Sequence, residues 1–341
     1  MSRILVHGIT IDIHTSNDSL LKSIEEYYQI FLVESTDTAP DIVVNLDLIG
    51  YFEKIPKKIL PSEGSIRVGD TIWIHKEKKE YTFQDREIMA QITWDTSGSM
   101  CIEAYLKPLA IRHWVNIALQ GTTRISKYYN RFFIKTCIHD PLFVLLEKKF
   151  GIILLHATAV TNGKKTFVFS GLGGSGKSTT AAAFSTQHGY TILADNYVLL
   201  KGKTLYPFPE LARVTKETEN LLGIRLKKKA DGIKSYLQND TKSVQESYEV
   251  RAIFLCSYGD SFRVDLVNDV NTSFENMLAI NHYTKEFPEY GNLALLSLLS
   301  EYNTGSVRME ELKNICQENH VYFLQNDKNI ISHIPEIASF Q

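Results

Sequence analysis

Gly171-Leu-Gly-Gly-Ser-Gly-Lys-Ser178 is the stretch on which the fold of this chain turns. It satisfies G-x-x-x-x-G-K-[ST] without a departure, between Thr166-Phe-Val-Phe-Ser, which reads as a strand, and Lys177 to His188, which reads as a helix. Strand, glycine-rich turn and helix in that order make a phosphate-binding loop. Gly171, Gly173, Gly174 and Gly176 let the backbone curl so that successive N–H groups face inward, and the helix start adds partial positive charge. Ser175 completes the loop and Lys177 places a point charge between terminal phosphates. The Ser178 hydroxyl would ligate Mg²⁺, and Thr179 would extend the nucleotide-binding set. The plain alternative, a glycine turn entering a helix, gives Lys177 and Ser178 nothing to do. The motif implies a nucleotide but fits ATPases, GTPases and small-molecule kinases equally.

Outward from the loop, Ile152-Ile-Leu-Leu-His and Tyr190-Thr-Ile-Leu-Ala-Asp are apolar without alternation, as strands buried on both faces are. With a crossover helix between strands, they predict an α/β domain with a mixed, partly parallel sheet. The first third reads differently. Ile4-Leu-Val, Ile11-Asp-Ile, Ile42-Val-Val, Thr71 to His75, Tyr81-Thr-Phe, Ile92-Thr-Trp and Cys101 to Leu106 are short β-rich runs, with a hairpin turn at Lys76 to Lys79. A helix starting at Asn17 or Ser19 interrupts them, which makes a smaller α+β domain over 1–140. Helical patterns at Ile111 to Leu119 and from Asp140-Pro lead into the loop-bearing domain, 141–341. Lys227-Lys-Lys and the polar run Asp231 to Ser247 read as an exposed insertion. Ser273 to Leu299 and Val307 to Cys316 read as helices, followed by a strand at Val321-Tyr-Phe-Leu.

Composition excludes several functions. The chain has 341 residues and 44% apolar content, ample for a buried core. Lys+Arg at 37 against Asp+Glu at 39 leaves a net charge of −2, which predicts neither a nucleic-acid partner nor an anionic membrane surface. Cys101, Cys137, Cys256 and Cys316 are too scattered for a disulfide framework or a zinc site, so they read as reduced core thiols of a cytoplasmic protein. The N-terminus carries no signal-peptide core, and no apolar run approaches the roughly 18 to 20 residues that span a bilayer.

Polar residues on the two flanking strands narrow the chemistry. His156 is expected to end the strand before the loop and Asp195 to end the strand after it, so both arrive at the phosphate-facing edge. Asp195 there can accept the proton of an attacking hydroxyl or hold the metal, and His156 can donate to the carboxylate or to a phosphate oxygen. A turn-capping Asp195 and a satisfied strand-end His156 are the plainer readings. Arg213, beyond the Pro207/Pro209 turn, is a bidentate donor for transferred phosphate or a solvated loop arginine. Glu210 is a candidate second metal ligand. Lys227, Lys228, Lys229 and Lys234 read as a solvated face or a patch for an acidic peptide, and Trp73, Trp94 and Trp114 read as core.

Leu-Leu-His156-Ala-Thr-Ala-Val, the loop, and Gly189-Tyr-Thr-Ile-Leu-Ala-Asp195-Asn196 together resemble the catalytic domain of HPr kinase/phosphorylase and its relatives, whose P-loop domain is similar to that of phosphoenolpyruvate carboxykinase. Tyr206-Pro-Phe-Pro-Glu-Leu-Ala-Arg213 resembles HPr-kinase-like proteins of peptide biosynthesis, including kinases that phosphorylate a serine of lasso-peptide precursors. The resemblance implies ATP and Mg²⁺ as cofactors, Lys177 and Ser178 holding them, Asp195 as catalytic base and metal ligand, and His156 as the active-site histidine. It implies a kinase acting on a peptide or protein hydroxyl. Two departures stand out: Asn196 replaces the family's second aspartate, and the Glu-Ile-Arg-Gly-type signature is missing. Both point away from the reverse, phosphorolytic reaction and from HPr as substrate. The alternatives are a small-molecule hydroxyl kinase and a nucleotide-sensing regulator with little turnover. The N-terminal domain either grips a substrate peptide or completes a homo-oligomer interface.

Overall fold

The computed structural model describes residues 1–34, 38–49, 54, 56–84, 88–107, 134–208, 212–225, 234–237, 247–282, 296, 299 and 304–340. The chain divides into two compact units, Met1–Phe150 with Gly291–Thr304, and Gly151–Tyr290 with Gly305–Gln341. The division falls ten residues beyond the expected 140. The physical reason is the helix α2 (Asp140–Phe150), which belongs to the first unit: Lys149 pairs with Asp41, and the Lys148 ammonium lies 4.7 Å from the Trp94 ring centre. Gly151, at φ +67°, then ends the helix.

The first unit is built on one sheet. Its strands are β1 (Ser2–Val6), β2 (Ile9–Thr15), β3 (Ile42–Leu48), β4 (Ile66–Val68), β5 (Ile72–His75), β6 (Glu80–Gln84), β7 (Ile88–Trp94) and β8 (Met100–Leu106), in the order β1-β2-β3-β8-β7-β6-β5-β4. Helix α1 (Asp18–Tyr27) crosses over between β2 and β3, which run parallel, as do β3 and β8. Asn17 caps α1 by accepting the Leu20 N–H at 2.8 Å. The turn at Lys76–Lys79 closes with a 3.1 Å backbone bond. Strand β4 was not apparent from the sequence. Two expectations are corrected here: Trp73 is half-buried on β5, with the Arg67 guanidinium 5.5 Å from its ring, and Cys101 on β8 is exposed, not core. Trp114 and the helix expected at Ile111 to Leu119 lie outside the described residues.

The second unit contains β9 (Ile153–Thr161), β10 (Thr166–Gly171), α3 (Lys177–His188), β11 (Thr191–Lys201), β12 (Thr204–Tyr206), β13 (Ala212–Thr215), α4 (Lys216–Leu222), β14 (Lys234–Leu237), β15 (Tyr248–Glu249), β16 (Ala252–Tyr258), β17 (Arg263–Leu266), α5 (Val270–His282), α6 (Thr304–Glu318), β18 (Val321–Asn326) and α7 (Ile330–Ser339). The main sheet runs β15-β12-β11-β9-β10-β16-β18-β17. It is covered on both faces, as the continuous apolar strands require. Phe167, Phe169 and Phe254 pack on one face with Phe184 of α3 and Ile334 of α7; Val168, Ile253 and Leu255 pack on the other with Met277 of α5 and Leu312 of α6. Each of these fully buried side chains contributes roughly 1.5–3 kcal/mol.

The sheet is mixed in a way the sequence reading did not specify. β10, β16 and β18 are adjacent and parallel, whereas β9 lies between β10 and β11 and runs against both. The crossover β10–α3–β11 therefore joins strands of like direction that are not neighbours. Beyond the expected elements the unit adds β16, whose apolar run Ala252-Ile-Phe-Leu-Cys marks it in the sequence, and β17 and α7, which the sequence does not mark. Part of the expected polar insertion, Lys234–Leu237, is strand β14, paired with β13. Most of the helix expected to run on from His282 to Leu299 lies outside the described residues. Among the described residues no helix is long and apolar enough to cross a membrane.

Candidate functional site

β10 ends at Gly171 and α3 begins at Lys177; the intervening turn bends back on itself, with Ser175 N–H donating to Leu172 O at 3.2 Å. Two glycines are obligatory. A Cβ at Gly171 would lie 2.5 Å from Cys256 O and 2.6 Å from Ser175 Oγ, so no side chain fits where the loop crosses the end of β16. Gly176 adopts φ +91°, and a Cβ there would lie 2.7 Å from Asn326 Nδ2. Gly176 is also the N-cap of α3, and no side chain caps that helix end, which leaves its first N–H groups for an incoming anion.

Lys177 departs from expectation. A lysine at a helix start ordinarily faces solvent, yet Lys177 is 7% exposed, and its Nζ donates to Gly171 O at 2.7 Å and Leu172 O at 2.9 Å. Following a left-handed glycine, the first residue of α3 is folded back over the loop and not out to water. A cation thus already stands inside the turn. Ser175 Oγ is buried there with no hydrogen-bond partner among the described residues.

Asp195 and His156 reach the loop, though not as strand ends. Each lies within a longer strand than expected, because the apolar runs continue past them: His156 in β9, Asp195 in β11. β9 runs against β10, so its early half lies beside the loop; His156 O accepts from Ser170 Oγ at 3.2 Å. Asp195 is 2% exposed, and its Oδ1 accepts from Ser178 Oγ at 2.9 Å and from Thr158 Oγ1 at 2.8 Å. The β9–β11 register is broken between Ile192 and Ala194, and Asn196 takes φ +74°. This bulge turns the strand at Asp195, and asparagine is among the few residues that adopt such a φ at low cost.

Burial and the nearby Lys177 charge push the His156 imidazole down to about 4, so it stands neutral near pH 7. Its backbone N–H donates to the side chain of Asn281, a buried residue of α5, at 2.7 Å. Thr179 shares its hydroxyl with Thr218 of α4 at 2.9 Å, tying α3 to α4. Arg213 is on strand β13, paired with Tyr236, and not in a loop: the run Ala212–Thr215 finds its partner in β14, a strand the polar composition concealed. Lys234 begins β14. Glu210, Lys227, Lys228 and Lys229 lie outside the described residues.

The sequence reading missed Thr158, Asn281 and Asn326. Thr158 pairs with Asp195 across β9 and β11, so knowing that register would have exposed it. Asn281 and Asn326 come from elements whose order in the fold the sequence does not state. No protein-family model matches the chain, and no curated protein matches it. The functional reading therefore stands on the residues and their geometry.

Proposed function

We propose that this chain is an ATP- and Mg²⁺-dependent phosphotransferase with an HPr-kinase-like P-loop domain, moving the γ-phosphoryl group to a hydroxyl, most simply a Ser of a peptide or protein. One observation carries the reading. Asp195, from a strand beyond the helix, accepts a hydrogen bond from the loop hydroxyl of Ser178 at 2.9 Å. A glycine turn without function would need no buried carboxylate against its serine.

The residues fit the nucleotide and the ion. The buried Ser175 hydroxyl, the uncapped start of α3 and the Lys177 ammonium form a cradle for phosphate oxygens. Ser178 and Asp195 would hold Mg²⁺, and one hydroxyl with one carboxylate is the sparse protein share that an ion bound mainly by phosphates and water requires. When bound, Mg²⁺ offsets charge on the β- and γ-phosphates. Lys177 neutralises developing charge on the transferred group. Asp195 accepts the proton of the attacking hydroxyl, and neutral His156 donates to the carboxylate or to a phosphate oxygen.

The test is γ-labelled ATP with Mg²⁺ and a panel of Ser-containing peptides, free serine and sugars. Asp195→Asn is expected to keep ATP affinity within a few-fold and to lower transfer by about 10² or more. Undiminished transfer would return Asp195 to a structural role, and ATP binding with no transfer by the parent chain would favour a nucleotide sensor.

Direction follows from Asn196. In reverse, inorganic phosphate attacks a phosphoserine, releasing pyrophosphate, and the leaving serine oxygen must be given a proton. Two adjacent carboxylates can share and return that proton; Asn196 contributes none. Phosphorylated product incubated with millimolar phosphate and Mg²⁺ is expected to yield no pyrophosphate, and release at the forward rate would refute a one-way kinase.

A further inference from the structure

The back of the loop is held from far along the chain. Asn326, the last residue of β18, is 1% exposed, and its Nδ2 donates to Ser175 O at 2.9 Å. The same Nδ2 occupies the space where a Gly176 Cβ would be. Asn326 is itself anchored, its carbonyl accepting from Gly259 N–H at 2.8 Å just past the end of β16. Its Oδ1, by contrast, is buried without a hydrogen-bond partner among the described residues. An amide with one unmet oxygen is a costly space-filler, so the contact it gains is the Nδ2 bond to the loop.

That bond sets a direction. A trans peptide is rigid and planar, with its C=O and N–H opposed, so holding Ser175 O toward Asn326 points the Gly176 N–H away from Asn326. We infer that Asn326 is a positioning residue for nucleotide binding: its amide locks the Ser175–Gly176 peptide so that the Gly176 N–H is presented to phosphate. The inference rests on the phosphate-binding reading of the loop and adds a residue outside its motif. Only a neutral donor serves; aspartate has the same shape but would set a carboxylate oxygen against a carbonyl.

The experiment uses the full chain and Asn326→Asp, with Asn326→Ala, which removes the donor outright, as a second variant should the first not fold. Amide hydrogen exchange without nucleotide is expected to quicken about 10-fold or more across 173–177 and to change little in β3 and β8. ADP with Mg²⁺, followed by calorimetry, is expected to bind about 10-fold more weakly, with kcat at saturating ATP kept within a few-fold. Exchange and affinity within twofold of the parent would overturn the inference. A parent chain that binds no ADP would overturn the nucleotide reading instead, while loop exchange would still decide whether Asn326 holds the peptide.

Discussion

Lys177 has two roles that pull apart on mutation. On the proposed reading its charge would serve transferred phosphate, while its bonds to Gly171 O and Leu172 O close the turn. Lys177→Met keeps the stem and removes both. Transfer is then expected to vanish, and stability to change by no more than about 2 kcal/mol, since two charge-assisted bonds are lost but a buried charge is no longer desolvated. A third readout is local. Lys177 is the second cause, after burial, of the low His156 value of about 4, so the variant's His156 should titrate higher yet still below 6.5. Imidazole shifts followed by NMR would check this, and an unmoved titration would separate the two residues. The motif predicts Lys177 as a phosphate ligand. Its burial was not legible, because a left-handed Gly176, not a sequence pattern, sets where the side chain goes.

Elements were legible in proportion to how local their causes are. Asn17 before an apolar helical pattern, the Lys76–Lys79 turn and the glycine-rich loop each declare themselves within a few residues, and each is present. β16 declares itself too, in the unbroken run Ala252-Ile-Phe-Leu-Cys, and was overlooked beside the louder loop. α7 was hidden by Pro335, which reads as a breaker although Ile330, Ile334 and Ile337 hold helical spacing and are buried. Strand order was the least legible. That β9 lies between β10 and β11, and that β18 brings Asn326 to the loop, follows from pairings between segments far apart in sequence. Asp195 and His156 were legible because they sit on the apolar strands that flank the loop, and β9's place between β10 and β11 brings both beside it. Thr158, Asn281 and Asn326 needed the sheet itself.

Among the described residues, each unit holds a histidine kept neutral by its surroundings: His139, buried, in the first and His156, half-buried, in the second. His139 in the first is pushed down to about 3, by burial and then by Lys135; His156 in the second is pushed down to about 4, by burial and then by Lys177. Both groups titrate near 6.5 once unfolded, so between pH 6.5 and 4 the unfolded chain binds up to about two more protons than the native one. Stability therefore rises with pH across that window and is lost as pH falls from 6.5 toward 4. Below 4 His156 begins to charge in the native state, and its share of the slope ends about a unit before that of His139. Carboxylates held low by hydroxyl and backbone donors, Asp95 and Asp269, add to the loss only where they protonate, below about pH 4. Urea midpoints measured from pH 7 to 4 should fall steadily. His156→Gln should flatten the slope reported by the second unit and His139→Gln that reported by the first, each followed by hydrogen exchange of its own sheet. A slope unchanged in both variants would mean that neither imidazole is kept neutral by its unit.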